Sequence, residues 1–239
     1  MTQTTYLERR GQIEAYFDRT AADAWARLTS DAPVSGVRAT VRAGREQMRR
    51  LLVDWVAPSG AGITPLASRR LLDAGCGTGL LAVDCARLGA AVTAIDLSPT
   101  LVELARERLP NDLSPGSITL LAGDMLDPAL GDFDHLVAMD SLIHYAPAQA
   151  IAALLALAPR VHRSMVFTFA PGSLPLRAMM MVGRLFPRGD RSPSIVPVAP
   201  ERMRAMLAEA LGPLGWTLGR TERVARGFYT SQAQELVRV

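Results

Sequence analysis

Leu71-Leu72-Asp73-Ala74-Gly75-Cys76-Gly77-Thr78-Gly79 decides how the rest of this 239-residue chain is read. Two apolar residues lead into an acid, three glycines then alternate with other residues, and a helical pattern starts at Leu80. Glycine lets a chain turn sharply out of a strand and brings bare backbone against a ligand. Two ligand types compete for such a loop. A dinucleotide pyrophosphate asks for G-x-G-x-x-G, and the third glycine (or Ala) would fall at position 80, where the chain has Leu80. Asp73 would sit poorly beside a pyrophosphate and suits a cationic or hydroxylated ligand. A plain strand-to-helix turn is the alternative without a ligand.

The arrangement D-x-G-x-G-x-G resembles motif I of the class I methyltransferases, and the resemblance implies S-adenosylmethionine as cofactor. The chain around it supports an α/β fold. From Arg70 onward, short apolar runs alternate with helical patterns, as in a mostly parallel sheet covered by helices on both faces. Strands are expected at Leu71–Leu72, Ala91–Ile95, Ile118–Ala122, Leu136–Met139 and Met165–Phe169. Two final strands are expected at Trp216–Val224 and Phe228–Val237, for seven in all. Helices are expected over Leu80–Leu88, after Ser98-Pro99, after Pro147 and over Glu201–Leu211; Ser98 with Pro99 is a start signal.

Outside this core lie two additions. Residues 1–57 read as an N-terminal helical arm or lid, with one helix over 5–29 and another over 34–56. Tyr6, Tyr16, Phe17 and Trp25 gather in the first helix, as core packing or as a cover for the site. In the second, Arg38, Arg42, Arg45 and Arg49 follow at steps of four, three and four. Such a stripe is usually a solvated face, with acidic lipid, an acidic partner or substrate carboxylates as alternatives. Pro58–Ser68 reads as a linker into the core, 58–239. Within the core, 171–200 is too long and too apolar for an ordinary connection and reads as a substrate-cap insertion over the C-terminal edge of the sheet.

Composition narrows the partners. All 26 basic residues are Arg, and the net charge of +3 is too weak to argue for nucleic acid. No apolar run approaches the roughly 20 residues of a membrane span, and the N-terminus does not read as a signal peptide. A cytoplasmic protein is expected, with peripheral contact to a membrane left open. Cys76 and Cys85 have neither zinc nor disulfide spacing, so reduced thiols and no protein-held metal are expected.

Asp96 ends the second strand about twenty residues beyond the loop, where a carboxylate accepts hydrogen bonds from both ribose hydroxyls of a nucleoside. Leu97 would pack on the adenine. In methyltransferases an acid after the third strand binds the adenine amine, which assigns Asp124, with Met125 against the ring. Asp140 to Tyr145 lies where the transferred methyl belongs. The Asn/Asp-Pro-Pro-Tyr/Phe motif of amide and ring-nitrogen methyltransferases is missing there, which favours an oxygen or carbon acceptor.

Tyr16-Phe17…Trp25, Leu142-Ile143-His144-Tyr145, Phe169-Ala170-Pro171 and Phe228-Tyr229-Thr230-Ser231 recur in order around motif I. With these segments the chain resembles the magnesium-protoporphyrin IX O-methyltransferase family over nearly its whole length. The resemblance implies methylation of a propionate of Mg-protoporphyrin IX in (bacterio)chlorophyll synthesis, with magnesium present only as part of the substrate. It raises the porphyrin-binding subunit of magnesium chelatase as a partner. Asp73, Gly75, Gly77, Gly79, Asp96, Leu97, Asp124, Met125 and Asp140 are expected at the cofactor, and His144 and Tyr145 at the reaction. Tyr16, Trp25, Arg177, Arg184, Arg188 and Arg191 are expected at the porphyrin. Relatives tend to carry a Tyr implicated in catalysis a few residues after the Trp, where this chain has Thr29, so that role is either missing here or falls to Tyr6 or Tyr16. Two other readings stay open: an O-methyltransferase of another apolar acid or a quinone-type phenol, and a porphyrin-binding protein without chemistry.

Overall fold

In the computed structural model, which describes residues 5–18, 29, 36–57, 62–172 and 195–239, the expected alternation closes into a seven-stranded sheet. Two helices come first, α1 (Tyr6–Tyr16) and α2 (Val37–Val56). Then follow β1 (Arg70–Ala74), α3 (Leu80–Arg87), β2 (Ala91–Asp96), α4 (Pro99–Glu107), β3 (Ser117–Ala122) and β4 (Phe133–Ala138). The chain ends through α5 (Pro147–Leu157), β5 (Val161–Phe169), α6 (Pro200–Leu211), β6 (Trp216–Arg226) and β7 (Tyr229–Arg238). The spatial order is β3-β2-β1-β4-β5-β7-β6. The first five strands run parallel, and β7 joins β5 antiparallel as one arm of the β6–β7 hairpin.

Consecutive apolar residues in the central strands follow from helices on both faces. Leu71, Val137 and Val166 pack with residues of α2, α3 and α4, whereas Leu72, Leu136, Met165 and Phe167 pack with α5 and α6. Met48 and Leu52 of α2 are completely buried in the first of these layers. The second helix of the N-terminal region is therefore fixed to the sheet.

Several boundaries move for physical reasons. β4 starts at Phe133, three residues before the expected strand, because Asp134 is held at the sheet end by the Arg70 N–H (3.0 Å) and by Arg163 (3.0 Å). Salt bridges there override a turn-like sequence. The first helix ends at Tyr16, and residues 19–28 lie outside the described part. Within Pro58–Ser68, Leu66 is 1% exposed and its N–H bonds to the Leu88 carbonyl at 3.0 Å, so this end of the segment is packed connection rather than linker. The two ends of the 171–200 segment meet: Gly172 donates to the Val198 carbonyl (2.7 Å) and Val198 to that of Ala170 (3.0 Å). Val196 donates to the carbonyl of Ile143 at 3.1 Å, which fastens the returning strand beside the Asp140–Tyr145 loop.

Candidate active site

The glycine loop leaves β1 with positive φ at Gly75 (84°), Gly77 (55°) and Gly79 (77°). The Gly75 and Cys76 N–H groups both donate to the Ile95 carbonyl, at 2.8 and 3.0 Å, tying the loop to the end of β2. At that end Asp96 accepts from the Gly77 N–H through one oxygen (2.8 Å) and from the Ser98 N–H through the other (3.0 Å). Each carboxylate oxygen keeps a further lone pair for a ribose hydroxyl. Asp73 is 1% exposed, and its Oδ2 is buried without a hydrogen-bond partner. Burial, with the nearby Asp96 charge, pushes the Asp73 carboxyl up to about 7. An orphaned buried carboxylate oxygen calls for a cation. These groups fit a nucleoside carrying an ammonium group.

A cavity of about 300 Å³ opens over the loop at the C-terminal ends of the strands. Asp73, Gly75, Gly77, Asp96, Leu97 and Met125 line it as expected sites, together with Asp140, His144 and Tyr145. Gly79 is not among the lining residues; its left-handed conformation starts α3. His144 sits in a short 3₁₀ turn, Leu142–His144, with Phe17 edge-on to its ring at 5.4 Å between centroids. The Arg9 guanidinium donates to its carbonyl at 2.7 Å. Tyr145 is stacked under Tyr6 (5.3 Å), and burial raises its phenol to about 12, so it stays protonated at neutral pH.

At three of the expected positions the surroundings add partners that the sequence did not show. Asp124 does not line the cavity, although its neighbours Gly123 and Met125 do. Its oxygens accept from the Tyr6 hydroxyl (3.1 Å), the Leu126 N–H (2.9 Å) and Arg10 (2.9 Å), so it fastens α1 to the end of β3. Asp140 does line the cavity, but its carboxylate is engaged by protein donors. Arg45 reaches Oδ2 at 2.5 Å, Tyr229 Oη touches both oxygens at 3.1 Å, and Thr168 and Ser231 reach Oδ1 at 3.1 and 3.2 Å. The arginine stripe of α2 is not a solvated face along its length, because Arg42, Arg45 and Arg49 line the cavity.

Tyr16 lies edge-on to Phe17 and is not a lining residue, and the Tyr6 hydroxyl is committed to Asp124. Thr29 does line the cavity and accepts from Arg108 at 3.1 Å. Trp25, Arg177, Arg184, Arg188 and Arg191 lie outside the described residues. Sequence reasoning gave no role to Tyr229 as a partner of Asp140. It weighed the arginine stripe but favoured solvent; the spacing was the signal, and the neighbouring Gly44, an expensive residue inside a helix, was the second one.

The mixed sheet with antiparallel β7, the glycine loop after β1 and the acid ending β2 define a class I S-adenosylmethionine-dependent methyltransferase. Residues 71–164 match the methyltransferase domain family, and residues 138–238 match the family described as magnesium-protoporphyrin IX methyltransferase C-terminus. The magnesium-protoporphyrin O-methyltransferase of Rhodobacter capsulatus is 45% identical, over 96% of this chain and 97% of its own length. The enzyme of that name from Synechocystis sp. PCC 6803 is 31% identical, over 97% of each chain. The crystal structure of magnesium protoporphyrin IX methyltransferase from Synechocystis PCC 6803 with bound SAH superposes with a TM-score of 0.81 at 29% identity, covering 96% of this chain and all of that one. The chain belongs to the magnesium-protoporphyrin O-methyltransferase family.

Proposed function

We propose that the protein transfers the methyl group of S-adenosylmethionine to a propionate carboxylate of Mg-protoporphyrin IX, giving the monomethyl ester in (bacterio)chlorophyll synthesis. The observation that carries this reading is the division of charge along the cavity. Asp73 and Asp96 stand at the ends of β1 and β2, and Arg42, Arg45 and Arg49 enter from α2 on the side of β4 and β7, outnumbering the two acids there, Glu46 and the Arg45-paired Asp140. A cationic methyl donor suits the acids and an anionic acceptor suits the arginines. Bound S-adenosylmethionine supplies a methyl carbon made electrophilic by its sulfonium.

The chain's own part is placement. A propionate has a pKa near that of Glu, about 4 to 5, so the nucleophile is already ionised at pH 7 and needs no general base. Asp73 and Asp96 hold the donor, while His144 and Tyr145 orient the acceptor, since alignment rather than proton removal limits such a step. The helical region 1–57 divides in this reading: α2 is a fixed wall and α1 a cover. Tyr6 and Arg10 on Asp124, and Asp18 on Ser98 Oγ (3.2 Å) and the Thr100 N–H (3.1 Å), support the cover. The 171–200 segment, whose ends meet beside Ile143, serves as the substrate cap. An apolar macrocycle needs delivery, so we read the porphyrin-binding subunit of magnesium chelatase as donor, with the protein at the inner membrane surface. Among the described residues no helix is long and apolar enough to cross a membrane.

Incubation with methyl-labelled S-adenosylmethionine and Mg-protoporphyrin IX tests the reaction; an unlabelled porphyrin would overturn it. Within it, His144→Ala should lower turnover tenfold or more while S-adenosylhomocysteine affinity stays within about twofold by calorimetric titration. Normal turnover would leave His144 a packing residue.

Asp73 gives a pH dependence with two opposite signs. Folded Asp73 holds its proton up to about pH 7, the unfolded residue only to about 4. Its contribution to apo stability is therefore largest at low pH and falls as pH rises from about 4 to 7. Cofactor affinity should move the other way, because only the ionised form attracts an ammonium group. S-adenosylhomocysteine should bind about tenfold tighter at pH 8 than at pH 6. Asp73→Asn should flatten that profile, and an unchanged slope in the variant would assign it to another group.

A further inference from the structure

The cavity over the glycine loop measures about 300 Å³, the lower end of what a single drug-sized ligand occupies. S-adenosylmethionine is itself of that size, so a tetrapyrrole acceptor has to rest largely on surface outside the cavity. A second depression, of about 360 Å³, opens on the far side of the acceptor loop. Tyr145 lines the cavity and Ala146, the next residue, lines the depression, so a single peptide link divides the two spaces.

Two helix starts and the returning end of the 171–200 segment build this groove. Pro147 and Ala148 come from the start of α5, Val196 and Pro197 from the returning end, and Arg202 and Met206 from α6. A proline at the first position of α5 and of α6 fixes where each helix begins. The returning end is held by the bonds of Val196 to Ile143 and of Val198 to Ala170, so the groove is a built feature of the fold. Arg202 is the only charged or polar residue that lines it; Glu201, its neighbour, does not. The guanidinium is exposed and has no hydrogen bond or ion pair among the described residues. It stands in the first turn of α6, where the helix dipole disfavours a cation, and nothing on the N-cap, Ala199, offsets it. An unpaired cation at the rim of an apolar groove matches an anion carried on an apolar body.

We propose that this groove is a second subsite for the acceptor, where Pro147, Val196, Pro197 and Met206 take an apolar edge of the macrocycle and Arg202 pairs with the propionate that is not methylated. The inference rests on the acceptor reading above and deepens it. Mg-protoporphyrin IX carries two propionates, and only one can lie against the sulfonium. The other is ionised at pH 7 and is best held away from the carboxylates of Asp73 and Asp96. A planar guanidinium grips a carboxylate through two parallel hydrogen bonds, which an ester forfeits. The unbranched Met206 adapts to the flat ring, so the apolar wall supplies contact and Arg202 sets the orientation.

The test uses the whole protein with saturating S-adenosylhomocysteine and two fluorescent probes, Mg-protoporphyrin IX and its dimethyl ester. Arg202→Ala should weaken binding of the diacid about fivefold and of the diester less than twofold. In turnover the same variant should raise KM for the diacid by a similar factor with kcat within about twofold, because Arg202 is remote from the reacting atoms. Ala148→Trp, which fills the groove, should weaken both probes about tenfold. Both substituted residues are exposed, and unchanged S-adenosylhomocysteine affinity checks that each variant keeps its fold. Wild type that neither binds nor methylates the diacid overturns the acceptor reading and the subsite with it. Where wild type methylates the diacid, an Arg202→Ala effect equal on both probes overturns the carboxylate pairing, and unchanged affinities in Ala148→Trp overturn the groove.

Discussion

Gly75→Ala is expected to abolish S-adenosylhomocysteine binding, or weaken it at least a hundredfold, while leaving a destabilised but folded protein. At φ 84° a side chain occupies a conformation that costs on the order of 1–2 kcal/mol. The new Cβ would also meet Ser141 Cβ at 2.4 Å and Ser141 Oγ at 3.1 Å. Relief by backbone movement is blocked, because Gly75 and Cys76 N–H share the Ile95 carbonyl and Ser141 Oγ holds the carbonyl of Ala74. Adding about 1–3 kcal/mol for overpacking, the loop must shift out of the geometry that brings its backbone to the cofactor. Calorimetric titration reads the affinity and thermal melting the stability. Ser141→Gly in the same chain removes the clash but not the torsional cost, so the double variant should regain part of the affinity. Full affinity in the single variant would mean that the loop backbone is not what the cofactor touches.

The parts of this site that were legible in the sequence are the local ones. Asp73, the three glycines and Asp96 are bound to the ends of β1 and β2 by spacing alone, and parallel pairing of Ala74 with Ile95 brings those ends together. Side-chain partners across the fold were not legible. Asp124 follows β3 in the position expected of an adenine acid, yet the partners that engage it, Tyr6 and Arg10, come from a helix more than a hundred residues earlier. Periodicity placed Arg42, Arg45 and Arg49 on one side of α2. It could not say whether that side meets water or a cavity, because both accept arginine. The answer depends on how α2 crosses β7, which Gly44 and Tyr229 settle through a contact no local pattern encodes.

The same contact makes Asp140 a residue whose loss should be costly to stability. Asp140→Ala removes the acceptor of four side chains at once, three of them deeply buried: Thr168, Ser231 and Tyr229. Arg45, its side chain 19% exposed, loses the carboxylate that offsets its charge. Breaking a buried ion pair from one side typically costs about 3–5 kcal/mol, far more than the net worth of the intact pair. For a chain of this size each kcal/mol lowers the melting temperature by about 2–4 °C, so a fall on the order of 10 °C is expected. Arg45→Met in the Asp140→Ala background removes the charge that has lost this carboxylate and fills its space, and should restore part of the loss. If Asp140 acts only as packing, Arg45→Met will add its own destabilisation instead, and the sign of that second step in thermal melts decides between the two. Methyl transfer should fall in both variants, since Asp140 and Arg45 both line the cavity beside the glycine loop and its wall is altered even where stability has recovered.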